Sequence, residues 1–124
     1  MMRSCVVIPA YNAAKTLGPL VKQVKQLKLD PVVVNDGSTD QTAQVAMDAG
    51  ALVISHLANK GKGTAVRTGF AYALEHGYEA VITIDSDGQH DPAEIPRLLD
   101  EAAAKPAAVV VGNRSIDRER MPLI

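Results

Sequence analysis

Pro31-Val32-Val33-Val34-Asn35-Asp36-Gly37-Ser38-Thr39-Asp40 is an unbroken apolar run that ends in a polar, turn-forming cluster. A strand with one wet face alternates apolar and polar side chains, whereas a continuous apolar run fits a strand covered on both faces, as parallel strands are. The polar end marks where the chain leaves the sheet. The same pattern recurs on either side: Val6-Val7-Ile8 leads into Pro9-Ala10-Tyr11-Asn12, and Val109-Val110-Val111 leads into Gly112-Asn113-Arg114. Strands are expected over residues 4–8, 31–35, 51–55, 80–84 and 108–112.

Helical periods fill the gaps. Leu17, Leu20, Val21, Val24 and Leu27 form one core-facing stripe, and Val66, Phe70, Ala73 and Leu74 form another. A weaker stripe of Ala43, Val45, Ala46 and Ala49 ends at Gly50, a residue suited to a helix stop. Asp91-Pro92-Ala93-Glu94 combines an N-cap acid, a proline at the first helical position and a glutamate at the third, before Ile95, Leu98, Leu99 and Ala102. Strands alternating with helices predict one α/β domain over residues 1–124, a mostly parallel sheet with a helical layer on each side.

Composition narrows the function. The 124 residues are 47% hydrophobic and 22% charged, with a formal net charge of -1, so there is no global basic field to hold nucleic acid. The single cysteine, Cys5, lies in an apolar run and reads as an inert buried thiol. No apolar run reaches the length of a signal peptide core or a membrane span, which predicts a cytoplasmic protein.

In open parallel sheets, ligands bind beyond the carboxyl ends of the strands, where strand order reverses. Asp85 and Asp87 flank Ser86 immediately after an apolar strand, so two hard oxygen donors face one space, as Mg²⁺ or Mn²⁺ with a diphosphate would require. Gln89 adds a neutral carbonyl oxygen. The competing reading is a turn whose aspartates bond local backbone. His90 stands open between ligand, support and loop residue, and Asp91 reads as a helix cap. Asp36, at a strand tip, is placed to accept hydrogen bonds from a ribose or a base, while Thr39 or Asp40 caps the next helix. Tyr11 either stacks on a nucleoside or packs. His56 and His76 stand alone and receive no chemistry.

Asn59-Lys60-Gly61-Lys62-Gly63-Thr64 precedes a helix and brings glycines, basic side chains and a helix N-terminus together as an anion site. Arg67, one turn on, either reaches the same cleft or is solvated. A Walker loop would need glycine where His56 stands, and Ser or Thr where Gly63 stands; a dinucleotide fingerprint would need glycine at Val66.

Taken in order, Val7-Ile8-Pro9-Ala10-Tyr11-Asn12, Val34-Asn35-Asp36-Gly37-Ser38-Thr39-Asp40, Asn59-Lys60-Gly61-Lys62-Gly63, Asp85-Ser86-Asp87-Gly88-Gln89-His90-Asp91-Pro92 and Gly112-Asn113-Arg114 resemble family 2 glycosyltransferases. The branch resembled is that of the polyprenyl-phosphate sugar synthases. The resemblance implies a GT-A fold in which Pro9, Tyr11 and Asp36 cradle the nucleoside, with Asn12, Ser86, Lys62 and Arg67 among the substrate-binding positions. Asp85 and Asp87 would face ribose, diphosphate and Mg²⁺ or Mn²⁺, with Gln89 as a further metal ligand and Arg114 against the diphosphate. Asp87 and Arg114 are the expected catalytic residues.

The implied reaction moves a sugar from a UDP- or GDP-linked donor to an acceptor, with inversion. A lipid phosphate acceptor, already anionic, would need no base and would make the protein peripheral to a membrane. The family pattern continues into an acceptor-binding region after Gly112-Asn113-Arg114, and this chain ends at Ile124, so the expectation is the donor-binding half of a longer fold. A sheet edge left uncovered there would favour self-association. The alternatives are a donor-binding module without transfer activity and a nucleotidyltransferase. The latter calls for a glycine-rich basic loop after the first strand, where Pro9-Ala10-Tyr11-Asn12 stands.

Overall fold

The computed structural model of the chain describes residues 3–86, Arg97 and the backbone of residues 109–111. Among these residues, β1 (Ser4–Ala10), β2 (Asp30–Asp36), β3 (Leu52–His56), β4 (Ala80–Thr83) and β5 (Val109–Val111) form one sheet in the order β3-β2-β1-β4-β5. Every pairing is parallel. The connecting helices are α1 (Ala14–Gln26), α2 (Thr42–Ala49) and α3 (Lys62–Glu75). The helix expected after Asp91 lies, Arg97 apart, outside the described residues.

The apolar runs become central strands because successive side chains part to opposite faces. Val6, Ile8, Val33 and Ile82 pack with Leu17, Leu20, Val21 and Val24 of α1 and with Ala46 of α2. Cys5, Val7, Val32, Val34 and Val81 pack with Ala65, Phe70 and Ala73 of α3. This division follows from chain direction. From β1 through β3 the sheet grows one way, and the right-handed crossovers put α1 and α2 on one face. From β3 to β4 the chain returns past β2 and β1, so the same handedness puts α3 on the other. Strand order therefore reverses at β1, between β2 and β4.

Two details refine the sequence reading. The tips of β1 and β2 extend beyond the expected strands, to Ala10 and Asp36, which carries the polar clusters outward on paired backbone. The stripe expected on α3 is rotated: Leu74 is 43% exposed, while Ala65, Gly69, Phe70 and Ala73 are buried. Small residues at i, i+4 and i+8 let α3 lie directly on the sheet. A Cβ at Gly69 would come within 2.4 Å of Val7 Cγ1, so only glycine permits the approach, and the bulkier Leu74 turns outward.

Gly50 ends α2 in the left-handed conformation expected of it, with φ 104°. Asp40 serves α2 from one residue outside the cap position, accepting the Thr42 N–H at 3.0 Å and the Thr42 hydroxyl. Its other oxygen accepts the Ala14 N–H at the start of α1, 3.3 Å away. The Thr42 hydroxyl bond is the strongest influence on Asp40; with these N–H groups it outweighs desolvation and holds the carboxyl below its ordinary value. No helix among the described residues is long and apolar enough to cross a membrane.

Candidate functional site at the switch point

The tips of β1, β2 and β4 and the start of α3 enclose a cavity of about 330 Å³. Pro9, Ala10 and Tyr11 line it from β1, Asp36 from β2, Asn59, Gly61, Lys62 and Ala65 from the α3 entrance, and Asp85 and Ser86 from just beyond β4. Segments separated by dozens of residues thus meet where strand order reverses, the position that parallel α/β sheets use for ligands. Tyr11 is half exposed and is among the residues lining the cavity.

Asp36 anchors one wall. Its Oδ1 accepts the Lys60 N–H at 2.9 Å and lies 2.8 Å from His56 Nδ1, and its Oδ2 accepts the Gly61 N–H at 2.9 Å. The Asn59 side-chain amide donates to the Asp36 carbonyl at 3.3 Å. Gly37 makes this possible, because with φ +73° a Cβ there would sit 2.4 Å from the Asn59 backbone nitrogen. Burial alone would push the Asp36 carboxyl up, and it is the largest single influence. The hydrogen bonds from His56, Lys60 and Gly61 together outweigh it, leaving the carboxyl below its ordinary value and ionised at neutral pH.

The loop expected to cradle an anion therefore already holds one. Lys60 and Gly61 turn their backbone N–H groups onto the internal carboxylate of Asp36, and among the described residues the cationic side chain lining the cavity is Lys62. Lys62, the first residue of α3, forms an ion pair with Asp85 across the opening, with side chains 57% and 26% exposed. Ser86 is fixed through its carbonyl, which accepts the Thr16 hydroxyl of α1.

Asn12 stands apart from the cavity. At φ 51° its side-chain oxygen accepts the Thr39 N–H at 2.8 Å, and its own N–H donates to Ser38 Oγ at 2.9 Å, tying the β1 and β2 tips together. Arg67 is exposed on α3 and is not among the lining residues. Asp87, Gln89 and Arg114 lie outside the described residues.

One residue without an assigned role in the sequence proves central: His56 is the direct neighbour of Asp36 across β2 and β3. No local motif marks it. Only the register of the two strands does.

For a divalent ion, the described residues offer one of the three expected donors, the Asp85 carboxylate. That carboxylate already faces the Lys62 ammonium, so positive charge is accommodated at this spot, and its hard oxygens are the chemistry Mg²⁺ or Mn²⁺ takes.

A parallel α/β sheet with a polar cavity at its switch point defines the open, doubly wound class of α/β proteins, which take their ligands at that place. Within that class, residues 5–120 match the profile of the family described as Glycosyl transferase family 2, and the chain belongs to that family. It is 35% identical to the undecaprenyl-phosphate mannosyltransferase of Micrococcus luteus, over 97% of this chain and 51% of the relative. It is 34% identical to the polyprenol monophosphomannose synthase of Mycolicibacterium smegmatis, over 92% of this chain and 46% of the relative. Among solved structures, it resembles glucosyl-3-phosphoglycerate synthase from Mycobacterium tuberculosis in complex with Mn²⁺ and UDP-glucose. The TM-score is 0.71 at 28% identity, covering 84% of this chain and 40% of that one. The fold is thus that of the GT-A glycosyltransferases. The chain spans about half the length of the curated relatives it matches.

Proposed function

We propose that this chain binds a nucleoside diphosphate sugar and forms the donor half of an inverting glycosyltransferase whose acceptor is a polyprenyl phosphate. The observation that carries the reading is the convergence of Pro9–Tyr11, Asp36 and Asp85–Ser86 on one cavity. The named activities of the Micrococcus and Mycolicibacterium relatives support a lipid-phosphate acceptor.

Each residue then has a task. Asp36 and Tyr11 hold the nucleoside, one by hydrogen bonding and the other by its exposed ring. Lys62 moves from Asp85 to the diphosphate. Asp85, with Asp87 and Gln89, would hold Mg²⁺ or Mn²⁺, which when bound supplies charge neutralisation to the diphosphate. Arg114 adds the planar fork of a guanidinium to the same group. An acceptor phosphate oxygen attacks the anomeric carbon from the side opposite the diphosphate. The new carbon–oxygen bond forms as the bond to the diphosphate breaks, that group leaves with the electron pair, and configuration inverts. The nucleophile is already anionic, so no side chain needs to remove a proton. Such an acceptor would place the protein at the surface of a membrane.

Calorimetric titration with UDP- and GDP-linked sugars, with and without Mn²⁺, tests donor binding, with Asp87→Ala as the control. Metal-dependent binding that the substitution abolishes is expected. A folded chain that binds no donor would sink the reading. Incubation with a polyprenyl phosphate and donor separates transfer from binding alone. The chain's coverage of its relatives gives the second reading its weight: a donor-binding module that needs further sequence to transfer.

A further inference from the structure

His56 is held at both ring nitrogens. Nδ1 lies 2.8 Å from Asp36 Oδ1, and Nε2 lies 2.8 Å from Thr68 Oγ1, whose hydroxyl is 3.1 Å from the Thr64 carbonyl in α3. The side chains of His56 and Asp36 are only 9% and 4% exposed, so water does not compete for these bonds. The edge strand and α3 together fix the histidine, and the histidine fixes the carboxylate.

An ionised carboxylate offers about four acceptor positions, two on each oxygen. The Lys60 N–H and His56 occupy both positions on Oδ1, and the Gly61 N–H occupies one on Oδ2. A single position on Oδ2 remains for a ligand in the cavity that Asp36 lines. Guanine presents two parallel N–H donors, from its ring nitrogen and its amino group, and pairs with a carboxylate through both oxygens at once. A uracil-type pyrimidine presents one ring N–H between two carbonyls. Guanine would have to displace His56 or the Lys60 amide, leaving a buried donor without a partner.

We propose that His56 is a specificity-determining residue: by filling Oδ1 from beneath the cavity, it leaves Asp36 able to read one N–H and so selects a uridine nucleotide over a guanosine nucleotide. This rests on reading the cavity as the nucleoside site, and it deepens that reading by choosing between the two donor bases left open there.

The test is equilibrium titration of the full chain with UDP and with GDP at fixed Mn²⁺, in the native protein and in His56→Asn, His56→Leu and His56→Gln. UDP is expected to bind about tenfold or more tighter than GDP. His56→Asn keeps a donor near the Nδ1 position and should preserve the ratio. His56→Leu frees Oδ1 for a second N–H and should reduce the ratio about fivefold or more, chiefly by strengthening GDP binding. Should His56→Leu fail to fold, His56→Gln serves instead, since it keeps a polar partner for Thr68 while withdrawing the one on Asp36. Equal or tighter GDP binding by the native chain overturns the inference while sparing the nucleoside site. An unchanged ratio in a folded Leu or Gln variant overturns the role of His56. Binding of neither nucleotide overturns the site and the inference together.

Discussion

The two walls of the cavity are built differently. On the β2 side, Asp36 is buried and engaged by His56, Lys60 and Gly61, so its position is set before any ligand arrives. On the β4 side, Lys62 and Asp85 meet as a partly exposed ion pair. Buried hydrogen-bonded charge resists rearrangement, whereas exposed pairs gain little and separate readily. Under the proposed function, the contrast would give recognition to the first wall and response to the second. A base would be read by fixed acceptors, and a diphosphate would be met by a cation that leaves its resting partner.

The largest effect should come from Asp36→Ala. It removes the acceptor of two backbone N–H groups and a histidine, and desolvated donors left unpaired cost about 1–3 kcal/mol each. A loss of about 3 kcal/mol or more in denaturant unfolding is expected, together with a loss of nucleotide affinity of about 100-fold or more. Unchanged stability would mean that the wall is not preorganised by this carboxylate. Its pH dependence sharpens the point. The folded-state value is lowered, so the native state binds fewer protons than the unfolded state. The stabilisation is therefore full above the unfolded value near 3.8 and is lost as pH falls through the lower folded value. The difference in Tm between the native chain and Asp36→Asn should hold from pH 7 to about pH 4 and shrink below that.

Gly69→Ala should disturb both walls at once, because α3 carries Lys62 and follows directly on Gly61. The added methyl meets Val7 at 2.4 Å, and overpacking of this kind costs about 1–3 kcal/mol, partly offset by about 1 kcal/mol of helix propensity. Thermal unfolding measures the balance, and a stabilised variant would show that α3 can slide without cost.

The smallest stability effect belongs to Lys62→Ala, at about 0.5 kcal/mol or less, as expected of an exposed pair. Its ligand effect should be larger and selective: about tenfold weaker UDP with uridine unaffected, and a gap that narrows as salt rises. If uridine weakened equally, Lys62 would belong to the recognising wall and the contrast between the two would collapse.

The sequence made much of this legible where local pattern decides the outcome. Apolar runs at Val6–Ile8 and Val32–Val34 announced doubly covered strands, and the clusters behind them supplied Pro9, Ala10, Tyr11 and Asp36 to the cavity. Gly50 was readable because a left-handed helix end has few other solutions. Three features were not readable, for one reason. His56 gains its role from cross-strand register, Leu74 turns out because Gly69 meets Val7, and the Lys60 and Gly61 amides face inward because Gly37 allows Asn59 close. Each depends on which distant residue lies opposite, and spacing along one chain does not encode that. Asp87, Gln89 and Arg114 lie outside the described residues, so their roles stand on the resemblance.

Asp40 links the starts of α1 and α2 through one carboxylate, and the Thr42 hydroxyl that it holds also accepts the Ala13 N–H at 2.9 Å. Fraying of either helix at its first turn strips a bond from the other. The two segments should therefore open as one cooperative unit, with the early amides of both exchanging with solvent at a common free energy rather than independently. The Tyr11–Asn12 turn lies between β1 and α1, so the same joint should also steady the side of the cavity that Tyr11 lines.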